Sequence, residues 1–485
     1  MSNVDRYIEE VVKIGDMGSN FLAKESARTL RNNKFVDVLK NGMNGISVLR
    51  PGNYFAVVHS LSGDPRISEP KEYSASCVDK LVEMAIPGSV PVAFANVIDS
   101  NNGEIPLLGE IMKGLTGRAE DYGLAILNGE NAVLGKIIAK KANVSCTMVS
   151  FIDANAGRKL INGRNLGKII REGINYGIFD PEGKAIYMNS DGVGTKTDCY
   201  ARNGTFSRAL SDSAAMKLDD KSKIGASSKV LSDVVEFRGE IPQEEMENYA
   251  NALSQKYGFV YLLQFEDVWD RLSNYEKGAP SFNISGSAVS TIDENRLRNP
   301  LVPRENEFIF AVRGHLNPRS NGITARREIL EKVFGKMWHT KPEASMFLDY
   351  LTQPSNILSF LFDELIEKNL ATSVFHLSGG AYNGKLARPL AKQKLFAKLE
   401  GLFEPHSAEE FFIKHSGGSV ANAYGKWSMG VDGFITTKAP YETIKIILNH
   451  GYETKCVGVT EKRKDGKTGV ELKAYNGEMI YFSGN

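Results

Sequence analysis

The sequence predicts an α/β protein in which one domain of alternating strands and helices occurs twice, followed by a third region of the same class. Three observations carry that reading. Residues 149–158 read VSFIDANAGR and residues 289–298 read VSTIDENRLR. Val149, Ser150, Ile152, Asp153, Asn155 and Arg158 thus return as Val289, Ser290, Ile292, Asp293, Asn295 and Arg298 at a constant shift of 140. Tyr122-Gly123 likewise returns as Tyr257-Gly258 ahead of an apolar run. Finally, apolar segments of strand length alternate with segments of helical spacing through both copies. Two copies are too few for a solenoid, so a duplicated domain that packs against itself is expected.

Taken in order, residues 1–45 read as helix-rich. The first copy then offers strands at NYFAVVHSL (53–61), SVPVAFANVID (89–99), YGLAILNGE (122–130) and ANVSCTMVSFID (142–153), with SASCVDKLVEMA and IPLLGEIMKGLTGRAED as helices between them. The second copy repeats the order with KAIYMNSDG (184–192), SSKVLSDVVE (227–236), YGFVYLLQFED (257–267) and PSFNISGSAVSTID (280–293). NPLVPREN (299–306) is the most linker-like stretch. Beyond it EFIFAVRGHL (307–316) predicts a strand and RSNGITARREILEKVFG (319–335) a helix. The expected domains are therefore 1–165, 166–300 and 301–485.

Composition bounds the function class. A chain of 485 residues, 42% hydrophobic and 24% charged, can bury a sizeable core. A formal net charge of +1 gives no reason to expect a nucleic acid or an anionic membrane as partner. Cys77, Cys146, Cys199 and Cys456 form no CxxC pair, which argues against a zinc site and fits a reducing compartment. The acidic, polar start and the lack of a long apolar run lead to the expectation of a cytoplasmic protein.

The strongest chemical signal is SDGVGTK, Ser190 to Lys196, at the end of a predicted strand. Gly192 and Gly194 let the backbone approach a phosphate, with Thr195 beside them. Lys196 can neutralise its charge and Asp191 can hold a divalent cation. The competing reading is a strand-to-helix turn that uses Asp and Gly for turn chemistry. A second acidic pair, Asp219-Asp220 in KLDDKSKIGA, fits either a carboxylate opposite that loop or a solvated helix start favoured by the dipole. No Ser/His/Asp or Cys/His nucleophilic arrangement competes with these.

DGVGTK, KLDDKSKIGA, PRSNGITARR (318–327), FHLSGGAYNGKLARPL (375–390) and YGKWSMGVDGFI (424–435) occur in the order found in the aminoimidazole ribonucleotide synthetase, or phosphoribosylformylglycinamidine cyclo-ligase, family. The chain resembles that family over roughly residues 166–485, and its N-terminal 165 residues resemble an additional, degenerate copy of the family's first domain. The resemblance implies a ferredoxin-like ATP-binding domain present twice, paired as an internal pseudo-dimer β-barrel, and then an α/β C-terminal domain. It also implies ATP, Mg²⁺ and a ribonucleotide as ligands, and ring closure of phosphoribosylformylglycinamidine as the reaction. A monomer with its barrel closed internally is expected, with a homodimer as the alternative. Other ATP-using members of the superfamily, such as selenophosphate synthetase, thiamine-monophosphate kinase or formylglycinamidine ribonucleotide synthetase, share the ATP half. A catalytically degenerate binding or structural paralogue is the non-enzyme alternative.

By that resemblance Asp191, Lys196 and Asp220 carry the chemistry, and Gly192, Gly194, Thr195, Asp219, Asp233 and Glu130 complete the nucleotide site. Asp191, Asp220 and Glu130 are the implied metal ligands. Arg319, Ser320, Asn321, Ser378, Gly379 and Gly380 are the implied substrate contacts, with an exposed loop arginine as the alternative reading of Arg319. The copies diverge where this matters. The first has LSGDPR (61–66) in place of DGVGTK and Lys80 in place of Asp220, yet keeps NGEN (128–131), where the second has the bulkier LLQFEDV (262–268). One composite site per chain, with Glu130 supplied by the first copy, is one expectation; the alternative is that the first copy is only a scaffold filling the barrel. Ser428 replaces the asparagine usual in the family.

Overall fold

A computed structural model describes residues 21–41 and 44–484, which form a mixed α/β fold of three sheets. By contacts the described chain divides into two units. One comprises residues up to Ser213 together with Ala226–Arg298, and the other comprises Ala214–Gly225 and the chain from Asn299 onward.

The first unit holds two six-stranded sheets. Its strands are β1 (Val36–Asn41), β2 (Asn44–Leu49), β3 (Tyr54–Ser62), β4 (Val90–Ser100), β5 (Ala125–Val133), β6 (Ala142–Asp153), β7 (Leu166–Arg171), β8 (Ile174–Phe179), β9 (Ala185–Gly192), β10 (Ser227–Arg238), β11 (Val260–Asp267) and β12 (Ser281–Ile292). One sheet runs β5-β4-β6-β3-β8-β7 and the other β1-β2-β9-β12-β10-β11. The core orders β5-β4-β6-β3 and β11-β10-β12-β9 match, and in both the first pair is parallel and the others antiparallel. Each preceding hairpin joins the other sheet: β2 pairs with β9, and β8 with β3.

The central strands β3, β4 and β6 are largely apolar on both faces because both faces are covered. Phe55, Val57, Phe94, Ile98 and Met148 pack under the helices Pro70–Glu83 and Ile105–Tyr122. Ala56, Val58, Ala93, Ala95 and Val149 meet Ile186, Met188, Val230, Leu262 and Val289 of the opposite sheet. The sheets approach closely enough that a Cβ on Gly177 would come within 2.8 Å of Val230, so a larger residue at 177 has no room.

The region read as helix-rich includes β1 and β2; its first 20 residues lie outside the described residues. Val36, Val38 and Leu39 are strand-favouring or apolar residues, and the segment forms a strand where helix was expected.

The second unit carries a seven-stranded sheet ordered β14-β16-β13-β17-β15-β18-β19. These strands are β13 (Phe308–Arg313), β14 (Ala371–His376), β15 (Phe396–Leu399), β16 (Gly433–Thr437), β17 (Glu453–Glu461), β18 (Gly469–Lys473) and β19 (Met479–Phe482). Phe310, Val312, Val374 and Ile435 pack against Leu361, Phe362 and Leu365 of the helix Ser359–Glu367. No described helix is long and apolar enough to cross a membrane.

Candidate functional site

The loop Asp191–Lys196 joins β9 to the helix Lys196–Asn203. Gly194 has φ +70°, a conformation that an L side chain rarely adopts, and the Gly192 amide donates to Asp191 Oδ1 at 2.7 Å. On β9, β12 and β10 the residues Asp191, Gly286 and Asp233 fall in one row across the sheet. A Cβ on Gly286 would lie 2.5 Å from Asp233 Oδ1, so glycine is what lets the Asp233 carboxylate fit there. Asp233 is buried and accepts from Ser213 Oγ at 2.6 Å and Tyr261 Oη at 2.7 Å. Burial, then the Asp233 charge, hold the Tyr261 hydroxyl protonated.

Strand β5 of the other sheet runs alongside this loop. Asn128 Nδ2 donates to Met188 O at 3.0 Å, and a Cβ on Gly194 would lie 3.9 Å from Leu134. Glu130, half-buried, falls between those two anchors. In the other sheet its register position is held by Gln264: Glu130 pairs with Val97 on β4 as Gln264 pairs with Val234 on β10.

A carboxylate that the sequence reading did not single out also reaches the loop. Asp99 Oδ1 stands 3.8 Å from where a Cβ on Gly192 would be. Asn283 Nδ2 donates to Asp99 Oδ2 at 2.6 Å and to Glu236 Oε2 at 3.2 Å, while Asn143 Nδ2 donates to Glu236 Oε2 at 2.8 Å. These residues are interchanged between the sheets, since Asp99 pairs with Asn143 and Glu236 with Asn283. Ser145 and Ser285, also 140 apart, share a hydrogen bond of 2.7 Å between them. Burial, and then the nearby Asp99 charge, push the Glu236 carboxyl up to about 7.

The opposite end of the seam is built differently. Ser62 pairs with Ser145 as Gly192 pairs with Ser285. There the Ser62 amide and hydroxyl both donate to the Glu266 carboxylate at 2.9 Å, and Lys80 Nζ stands 3.0 Å from its second oxygen.

In the second unit, Asp219 and Asp220 lie near the end of the helix Ala209–Ser222. Asp219 and Arg319 form a fully buried ion pair at 3.0 Å, and the Ser359 amide donates to the other Asp219 oxygen at 2.8 Å. Burial pushes the Asp219 carboxyl up to about 7 against the pull of Arg319. Asp220 is 35% exposed by its side chain, and Oδ1 meets His376 Nε2, Lys223 Nζ and, at 3.8 Å, Lys385 Nζ. Burial opposes the Asp220 charge, but Lys223, Lys385 and His376 hold its carboxyl well below the usual range. Burial lowers His376 to about 3, so its ring is neutral.

Ser378-Gly379-Gly380 follows β14, with both glycines exposed, Gly380 at φ +82° and Ala381 at φ +38°. Positive φ at a non-glycine residue is strained, and the strain sits where the turn enters the π-helix Tyr382–Ala387.

No family model matches the chain. It is 24% identical over 295 residues to a phosphoribosylformylglycinamidine cyclo-ligase of Thermococcus gammatolerans, covering 59% of this chain and 81% of that protein. It is 25% identical over 267 residues to the protein of the same name from Prochlorococcus marinus, covering 49% and 72%. The chain resembles the cyclo-ligase family. Among solved structures, it is similar to a thiamine-monophosphate kinase of Stenotrophomonas maltophilia, with 13% identity, coverage of 67% and 96%, and a TM-score of 0.39. It is similar also to T. maritima PurL complexed with ATP, with 12% identity, coverage of 61% and 43%, and a TM-score of 0.37.

The first unit brings together Asp191, Gly192, Gly194, Thr195, Asp233 and Glu130 of the residues that the cyclo-ligase resemblance marks. Lys196 belongs to that stretch but not to its surface. Its ammonium is fully buried, 2.9 Å from Asp212 Oδ1, and Tyr200 Oη donates to the other Asp212 oxygen. A lysine at the buried start of this helix is held inward by an acid sixteen residues on. Arg319 is corrected in the same way, being neither exposed nor phosphate-facing. Its guanidinium donates to Asp219, to Asn356 O at 2.6 Å and to Leu377 O at 3.3 Å.

Asn321 is buried and donates to Ser378 O at 3.0 Å, which ties the Ser320-Asn321 loop to the Ser378 turn. Ser428 is buried as well, and its carbonyl accepts from Tyr382 Oη at 3.3 Å. Among the described residues, no three His, Cys, Asp or Glu side chains are grouped to hold a metal ion unaided.

Proposed function

We propose that the chain is an ATP-dependent cyclo-ligase that converts phosphoribosylformylglycinamidine to aminoimidazole ribonucleotide, ADP and phosphate. The observation that carries this is the Asp191–Gly194 loop flanked by the other sheet: two glycines with close backbone, one carboxylate of its own, and Glu130 and Asp99 alongside. We read the two sheets as copies of one ferredoxin-like domain forming an internal pseudo-dimer, which makes association independent of concentration. Residues 301–485 would bind the ribonucleotide, with the Ser378-Gly379-Gly380 amides facing its phosphate.

In this reaction the formyl oxygen takes the γ-phosphoryl group and ADP leaves. The amidine nitrogen then attacks the same carbon, phosphate departs, and a proton is lost as the ring closes. Such chemistry needs positioning and charge neutralisation more than a covalent nucleophile. Oxygen donors suit a hard cation, and the resemblance assigns Mg²⁺ to Asp191, Asp220 and Glu130. Bound there, it would neutralise phosphate charge. Lys196 and Arg319 are turned inward, and within the second unit Lys223 and Lys385, each partly exposed beside Asp220, are cations that could meet a substrate phosphate. That same inward turn favours a second reading, a paralogue that binds nucleotide without turning it over. Incubation with ATP and phosphoribosylformylglycinamidine decides between them: the first reading gives ADP with the aminoimidazole product, and the second gives neither.

A further inference from the structure

We infer that His376 is a positioning residue: Arg319 fixes it as the tautomer protonated on Nε2, and that N–H fastens one oxygen of Asp220 so that the other is presented to a divalent cation. The inference rests on the nucleotide reading above.

The tautomer follows from donor counting. Arginine stays protonated in proteins and offers only donors. Arg319 Nη2 lies 3.2 Å from His376 Nδ1, and the same nitrogen donates to Asp219 Oδ2 at 3.0 Å. A proton on Nδ1 would oppose that donor, so Nδ1 accepts and the ring proton resides on Nε2. Nε2 meets Asp220 Oδ1, and Ser378 Oγ lies 3.5 Å from it. The ring cannot turn away, because it is buried and Arg319 is itself held by Asn356 O and Leu377 O. Buried Asp219 is thus linked through Arg319 and His376 to half-buried Asp220.

The three contacts on Asp220 have one further property. His376, Lys223 and Lys385 all make their closest approach to Oδ1 of the same partly exposed carboxylate. A carboxylate tethered by one oxygen has its orientation set, which suits it to a single metal bond through the second.

Two conservative variants separate this role from packing. In His376→Gln the side-chain amide reaches the position of Nε2 and keeps a donor for Asp220, whereas in His376→Asn it reaches only the position of Nδ1. Mn²⁺–ADP affinity, read by electron paramagnetic resonance on the full chain, should stay within about threefold in the glutamine variant. It should weaken at least tenfold in the asparagine variant. Equal loss in both, or retention by asparagine alone, would overturn the role. Nitrogen-15 NMR of wild-type His376 near pH 7 should show a protonated Nε2 and a bare Nδ1, and the reverse would overturn the tautomer even if neither variant folds. Failure of the wild type to bind Mn²⁺–ADP would sink the nucleotide reading and the cation role with it, while the NMR still judges the tautomer.

Discussion

The two ends of the seam between the first unit's sheets share strand order and register, but they treat a backbone amide in opposite ways. At Ser62 the amide and hydroxyl are taken by Glu266 from the opposite sheet, with Lys80 completing the pair. At Gly192 the amide is taken by Asp191 of its own loop. The opposite sheet there places Ala132 where the first end has Glu266, because Ala132 pairs with Asp99 as Glu266 pairs with Glu236. A glycine and an alanine in place of a serine and a glutamate leave backbone that an anion can approach. Under the proposed nucleotide reading, these two positions set the matching ends apart.

The largest way to sharpen the comparison is at the cations that close the two loops. Lys196 and Asp212 are both fully buried, whereas Arg66, at the matching sequence position, is 71% exposed and paired with Asp64. Lys196→Ala should therefore destabilise by roughly 3–5 kcal/mol, since it strands a buried carboxylate, and Arg66→Ala by less than ~1 kcal/mol, both read by urea unfolding.

Glu236 comes next. Its carboxyl stands at about 7 in the folded protein against an ordinary 4.5, so the folded state holds the proton more tightly than the unfolded one. Stability should therefore fall as pH rises from the ordinary value through about 7 and level off above it, by on the order of 3 kcal/mol. Glu236→Gln should abolish that segment of the pH profile. An unchanged profile would remove Glu236 from the account.

Glu266→Ala should cost about 1–3 kcal/mol of stability, because Lys80 and the Ser62 hydroxyl lose their partner, and it should leave ATP turnover within about twofold. Loss of turnover would place catalysis at the wrong end. The smallest effect expected is at Glu130, where Ala should lower kcat/KM for Mg-ATP by roughly tenfold, about 1.4 kcal/mol in the barrier, with stability nearly unchanged. Full activity in that variant would make the first sheet a scaffold only.

Much of the fold was legible because its strands are buried on both faces and so read as apolar runs, as SVPVAFANVID and ANVSCTMVSFID do. The hairpin β7–β8 was not legible, since LGKIIR keeps most of its side chains toward solvent and carries little periodic signal. The Asp191–Gly194 loop showed in its glycines. The burial of Lys196 and Arg319 did not, because each is settled by an acid distant in sequence. Asp99 and Glu236 were hidden for another reason, as Asp99 meets Asn283 and Glu236 meets Asn143 only across the seam. A signal was present all the same: Asn143 and Asn283, their amide partners, stand 140 apart like the repeat itself.

The central claim is that one end of the seam, and only one, receives nucleotide. Calorimetric titration of the wild-type chain with Mg-ADP tests it most directly. One site per chain, lost in Asp191→Asn and kept in Glu266→Ala, is the predicted result. Two sites per chain, or one that survives Asp191→Asn, would contradict it.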